Sequence, residues 1–300
     1  MTEVFEVTAT LLNVRRSPAI NPSNVIGTLG LGEHVEKIGQ PSTDWLQVQN
    51  ARVSGFAAVR FLSRIAATSV PAPAPAAAQF IPPQVNFLPS AKASLSSTEH
   101  RHRPLGLQVL PRVAGQSDAA RCADLNSIVQ QLDVEHSARY QPTTKSTYCN
   151  IYAYDYCYLA GVYLPRVWWM SKALVDLSRG LPVGVAYGST VSELTANALF
   201  TWLAEWGDEF GWQRCLEVTQ LQQQVNTGAV GIICAQRTNL SRSGHIVAVV
   251  PESSGHAAER VGQSVVTPLQ SQAGARNKAY FASQWWTSLD FRAHGFWIHS

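Results

Sequence analysis

The 300-residue sequence has little charge. Asp, Glu, Lys and Arg make up 14% of it against 46% hydrophobic residues, a balance that excludes wholesale disorder. It also lacks a strong charge bias. A net charge of +3 is well short of a nucleic-acid-binding signature, so no nucleic-acid partner is expected, although a weakly basic surface favours approach to an anionic polymer. No apolar run reaches membrane-spanning length, and no membrane insertion is expected. The opening MTEVFEVTATLLNV has neither a basic n-region nor a continuous apolar core. The expectation is synthesis in a cytoplasm without a signal peptide, with any outside target reached after lysis or by specialised export. Cysteine is scarce: Cys122, Cys149, Cys157, Cys215 and Cys234 are an odd number without close CxxC pairs. That argues against a disulfide framework and against a structural zinc site. No internal repeat is visible.

What is present divides the chain in three. Residues 66–103 contain SVPAPAPAAAQFIPPQVNFLPS and then the polar SSTEHRHRP. Alternating Pro and Ala favour extended polyproline II and cannot build a core, so this stretch reads as a semi-rigid linker. Residues 1–65 carry short runs rich in β-branched residues, separated by Gly, Pro, Asn and Asp: VFEVTAT, LLNVRRSP, VIGTLGLGEHVEKIG, DWLQVQN and VSGFAAVRFL. Short strands without a competing helical period predict a small β-barrel. The run of LNVRRSP, VIGTLGLGEHVEKIG, DWLQVQ and GFAAVRFL resembles a bacterial SH3 (SH3b) domain over nearly all of residues 4–64, with Phe56 where that family usually has tryptophan. The resemblance implies either a module that binds cell-wall peptides or cross-bridges, or a packing module beside a peptidoglycan enzyme.

Residues 104–300 mix helix and strand. Leu125, Ile128, Val129 and Leu132 follow i, i+3, i+4, i+7 spacing behind Ser117-Asp118, which predicts an amphipathic helix. CNIYAYDYCYLAGV is apolar or aromatic almost all round, as in a buried central helix. TVSELTANALFTWLAEWG reads as a third helix with Thr190 and Glu193 as a capping box, and EVTQLQQQVNTG as a fourth closed by Gly228. AVGIICAQ, GHIVAVVP, QSVVTPL and GFWIHS follow as strands. Helices first and strands afterwards read as α+β with an antiparallel sheet.

The chemistry centres on KSTYCNIYAYD. Cys149 opens the buried helix, with Thr147 as the expected N-cap. A helix N-terminus favours thiolate and leaves N–H groups free for an oxyanion. GHIVAVVP supplies His245 at a strand start, behind a glycine that leaves room for a close neighbour. Three residues are candidates for orienting the imidazole: Gln272, Glu252 and Asn277. Gln272 is favoured because it falls at the end of the next expected strand, whereas Glu252 falls in a turn. Cys157 reads as core. Asp155 is expected to face away from Cys149. Trp168, Trp169, Trp202, Trp206 and Trp212 admit two readings, a sugar-stacking cleft or packing.

TYCNIYAYD, GAVGIICA and GHIVAVVPE, in this order, resemble the NlpC/P60 and CHAP group of cysteine peptidases and amidases. The likeness spans roughly residues 117–299, and the long interval between Cys149 and His245 departs from the commonest members. It implies a papain-like domain that cleaves an amide in the wall peptide, with Cys149, His245 and Gln272 as catalytic residues. The implied partner is bacterial peptidoglycan. No metal or cofactor is implied, and the chain is expected to act as a monomer. The rivals are a catalytically silent wall-binding protein and a cysteine hydrolase toxin acting on another amide.

Overall fold

The structure is a computed structural model that describes residues 3–65, 80–87, 101–109 and 115–300. It holds two compact units, Met1–Gln79 and Phe80–Ser300. The expected linker residues 66–79 and 88–100 lie outside the described residues.

Among its described residues the first unit forms strands, short 3-10 turns and connecting loops, with no α-helix. β1 (Val4–Val7), β2 (Leu11–Arg15), β3 (Val25–Gly30), β4 (His34–Gly39), β5 (Trp45–Gln49), β6 (Ser54–Ala58) and β7 (Leu62–Arg64) pair antiparallel in the order β3-β2-β6-β5-β4-β1-β7. Alternation along the strands buries Val7, Leu12, Val14, Leu29, Val35, Leu46, Val48 and Ala57 in one core. Phe56 pairs with Arg15 across β6 and β2.

The second unit is α+β. Its helices are α1 (Asp118–Leu132), α2 (Cys149–Leu159), α3 (Ser171–Ser178), α4 (Ala196–Glu205) and α5 (Val218–Val225). Two two-stranded sheets, β8 (Val167–Trp169) with β9 (Val191–Glu193) and β13 (Glu259–Val261) with β14 (Ser264–Thr267), are separate from the main sheet. That sheet contains β10 (Trp212–Cys215), β11 (Val230–Arg237), β12 (His245–Val249), β15 (Gln270–Gln272), β16 (Lys278–Phe281) and β17 (Phe291–His299). Its order is β10-β17-β11-β12-β15-β16, antiparallel throughout. Ile232, Cys234, Ile246 and Ala248 face a core shared with α1, α2 and α4. Ile233, Ala235, Val247 and Val249 face a second core with α5. A strand buried on both faces reads as a continuous apolar run, which is how IVAVV appears in the sequence.

Three expectations are corrected. Phe80–Phe87 and Arg101, expected within the linker, pack on the second unit. Val85 and Phe87 are buried in its core, the Tyr163 hydroxyl donates to Val85 O and accepts from Val85 N, and Trp169 Nε1 donates to Pro83 O at 2.8 Å. An extended Pro-rich strip forms no ladder of its own, so its peptide groups remain available to side chains. The Thr190–Glu193 capping box is instead strand: β9 pairs with β8, and α4 starts later, capped by Thr195, whose side chain accepts from Ala198 N. The strand in QSVVTPL does not run on to Gln272 as expected. Pro268 has no N–H to pair, and the chain divides there into β14 and β15.

Candidate active site

α2 is buried along nearly its whole length, and Cys149 is its first residue, 1% exposed. Thr147 is not its cap. Tyr148 holds that position, with no side-chain capping bond. The first-turn N–H groups of Cys149 and Asn150 therefore have no helix partner and no side-chain cap. Arg101, 6% exposed, lies over the Tyr148 ring at 4.0 Å and donates to Ala138 O, which fixes the entry to the helix. Burial pushes the Cys149 thiol up, an effect partly offset by the backbone N–H groups of Ile246, Asn150 and Cys149 itself.

The Ile246 contact locates the thiol, since Ile246 follows His245 at the start of β12. His245 is half-buried. Its Nε2 lies 2.7 Å from Gln272 Oε1, and the Gln272 amide NH2 donates to Arg276 O at 3.0 Å. A carbonyl only accepts, so this second bond orients the amide and turns its oxygen to the ring. The ring then carries its proton on Nε2, and Nδ1 keeps the basic lone pair. Nδ1 has no partner among the described residues. Strand periodicity explains the meeting. Gln270 lies opposite Val249, and Gln272 shares its face, as His245 shares that of Val247 and Val249.

Cys149 and His245 are not joined by a hydrogen bond among the described residues. Gln272 is placed beside His245; the other two candidates are not. Glu252 pairs with Arg260 at 2.5 Å and accepts from Asn226 and Ala258 N, and these bonds hold its carboxyl down at about 2. Asn277 donates to Val134 O and Tyr140 O and accepts from Gly274 N. Asp155 turns away from the thiol into a buried pair with Arg139. Trp168, Trp169, Trp202 and Trp212 are buried in packing, with Trp206 partly buried against them.

Sequence reasoning missed Trp285. Its ring stands edge-on to His245, centroids 4.5 Å apart at 77°, and its Nε1 donates to Gln270 Oε1 at 2.8 Å. The available signal was the aromatic doublet QWW shortly after a strand. Asn197 was missed as well. Its side chain accepts from Arg237 N at 2.9 Å and donates to Arg242 O at 2.8 Å, tying down the loop that enters β12. Gly244 makes room for it: a Cβ there would lie 2.5 Å from Asn197 Oδ1 and 2.6 Å from Ala235 O. Gly244→Ala is expected to cost about 1–3 kcal/mol through this overpacking and to displace His245. Thermal unfolding of the variant, compared with wild type, checks it; an unchanged midpoint would refute the close-approach account.

An open cleft of about 990 Å³ lies at the head of α2, lined among others by Tyr148, Asn150, Ile151, Ser243 and Ala275. Among the described residues no group of three His, Cys, Asp or Glu side chains is arranged to hold a metal ion, and no helix is long and apolar enough to cross a membrane.

No protein-family model matches the sequence, and no curated protein matches it. Among solved structures the chain is similar to NlpC1 and NlpC2 from Trichomonas vaginalis, at 10% identity and a TM-score of 0.25 in each case. Each match covers 99% of this chain, with 70% of the NlpC1 chain and 99% of the NlpC2 chain.

Proposed function

We propose that the second unit is a papain-like cysteine hydrolase that cleaves an amide bond in the bacterial wall peptide, and that the first unit is an SH3b-like barrel. The observation that supports this best is the hydrogen-bonded His245–Gln272 pair at the start of β12, one residue before the Ile246 backbone N–H that reaches the helix-head thiol of Cys149. In this reading the resting pair is neutral. Burial raises the thiol and lowers the imidazole to about 4. Cys149 Sγ attacks the scissile carbonyl as its proton passes to His245 Nδ1. The uncapped N–H groups of Cys149 and Asn150 receive the oxyanion. The C–N bond then breaks, and the same proton leaves on the departing amine. Water attacks the thioester, gives its proton to His245, and the proton returns to sulfur as the acid is released. Gln272 Oε1 accepts from Nε2–H throughout, and Trp285 shields that bond from water.

Mass spectrometry of muropeptides, after incubating purified sacculi with wild-type or Cys149→Ala protein, tests the reading. New fragments from wild type alone establish the hydrolase and identify the bond. One observation favours a second reading, a wall-binding protein with a silent site: the thiol is buried and has no hydrogen bond to His245. Absence of fragments from sacculi of several wall types supports that alternative, or a substrate outside the wall.

Burial of His245 has a consequence for stability. Its folded pKa is about 4 against 6.5 for a free ring, chiefly because burial disfavours the charged form; the Gln272 bond offsets part of this, and Arg237 adds to it. Above 6.5 the ring is neutral whether folded or unfolded. As pH falls below that, the unfolded ring takes a proton that the folded ring does not. This stability is therefore complete above 6.5 and is lost progressively towards 4, by at most about 1.4 kcal/mol per pH unit. Urea unfolding at about pH 7 and about pH 5 is expected to show the loss, and His245→Gln to flatten it. The Glu252–Arg260 pair weakens only lower, between 4.5 and about 2. A His245→Gln profile as steep as wild type would overturn the assignment.

A further inference from the structure

The cleft at the head of α2 has a charge imbalance. Two cations line it, Lys145 and Arg242, both exposed and neither in an ion pair among the described residues. The one acidic side chain among its lining residues, Glu193, is already engaged: Arg166 pairs with it at 2.7 Å, and the Tyr187 hydroxyl reaches it at 3.3 Å. The N-terminal ends of α2 and α4 open on the same space through Tyr148, Asn150, Thr195 and Asn197, and each adds a partial positive charge. The acid on the wall is thus neutralised from behind, and the cleft faces solvent with uncompensated positive charge.

The two cations are carried on ordered backbone. Arg242 O accepts from the Asn197 amide at 2.8 Å, and Arg242 N donates to Asn239 O at 3.0 Å. Lys145 lies in a turn closed by Thr143 N donating to Ser146 O at 2.9 Å and Ser146 N donating to Thr143 Oγ1 at 3.1 Å. Lys145 is four residues before Cys149 and Arg242 three before His245, so each is bound to the chain entering one half of the candidate catalytic pair. Both side chains line the cleft that opens at the head of α2.

We propose that Lys145 and Arg242 form a carboxylate subsite, so that the protein selects wall peptides whose carboxylates near the scissile amide are free over the same peptides with those carboxylates amidated. This rests on the wall-peptide reading above. A guanidinium binds a carboxylate through charge-assisted, paired hydrogen bonds, which a neutral carboxamide matches poorly. Selection against the amide needs no clash, only the loss of that charge.

Titration calorimetry of the full chain carrying Cys149→Ala tests the subsite without turnover. The probes are the stem tetrapeptide with free carboxylates and the same peptide with them amidated. The expected result is about tenfold tighter binding of the free acid, from one charge-assisted contact. The preference should shrink with added salt, fall in Arg242→Gln and in Lys145→Gln, and vanish in the double variant. Equal binding of the two peptides, binding of neither, or a preference that survives in the double variant overturns the subsite. The two readings fail separately. Wild type that cleaves free and amidated peptides equally keeps the hydrolase and loses the subsite. A Cys149→Ala protein that keeps the preference, while wild type releases no fragments from sacculi, keeps the subsite and loses the hydrolase.

Discussion

Replacing Cys149 with alanine is expected to lower the rate of fragment release from sacculi by about 10⁴-fold or more, the scale on which removal of a covalent nucleophile acts. The same substitution should leave the fold almost untouched. It exchanges a buried thiol for a methyl group at the head of a helix whose other buried residues stay in place, a change of about 1 kcal/mol or less. Muropeptide release and thermal unfolding, measured on one preparation, separate the two effects. No other cysteine can take over the role. Cys157 and Cys234 are fully buried, with thiols pushed far up by burial. Cys215 is held against Glu217 O and Gln220, and Cys122 against Asn226 O. Fragment release that persists in Cys149→Ala would therefore end the cysteine mechanism.

The second large effect is expected at Asp155. Its carboxylate is 0% exposed and accepts from Arg139 Nε at 2.6 Å, Arg139 Nη2 at 3.0 Å and the Tyr140 hydroxyl at 2.8 Å. Arg139 also donates to Arg103 O, and Tyr140 O accepts from Asn277, the residue closing the turn after Gln272. One buried carboxylate thus ties α2 to the segment leading into the cleft and, through it, to the strand end that orients His245. Asp155→Ala leaves a guanidinium buried without its counter-charge, and breaking such a pair costs about 3–5 kcal/mol. Asp155→Leu combined with Arg139→Met should recover part of that loss, because both desolvated charges then disappear. Urea unfolding of the full chain measures both variants. A loss below about 1 kcal/mol in Asp155→Ala would show that the pair contributes little beyond a surface ion pair.

Much of the scaffold was legible in the sequence. Alternation located the strands of the first unit, and Leu125, Ile128, Val129 and Leu132 are all buried on α1 behind a Ser117 cap that accepts from Ala120 N. α2, apolar almost all round, is the buried central helix, and Gly228, with φ 88°, follows the end of α5. Gln272 ends the strand next to β12, as expected of the imidazole's partner. The failures share a feature. Thr147 and the Thr190–Glu193 box are strong local capping signals that were outweighed, the second by pairing of β9 with β8. Phe80–Phe87 looked like linker by composition and is held by Tyr163 and Trp169, distant in sequence.

The sequence by itself determined the class of the second unit and the chemistry on offer: α+β, a cysteine at the head of a buried helix, a histidine at a strand start and a glutamine at the next strand's end. Those features repeat or sit at fixed offsets along the chain, and burial imposes its period on neighbouring residues. Only the tertiary structure decided which polar groups meet. It gave Asp155 to Arg139, placed Trp285 against His245, put Asn197 in the space left by Gly244, and neutralised Glu193 behind a cleft that Lys145 and Arg242 face. A hydrogen bond or ion pair depends on where two distant backbones converge, to within a fraction of an ångström, and no local period encodes that distance.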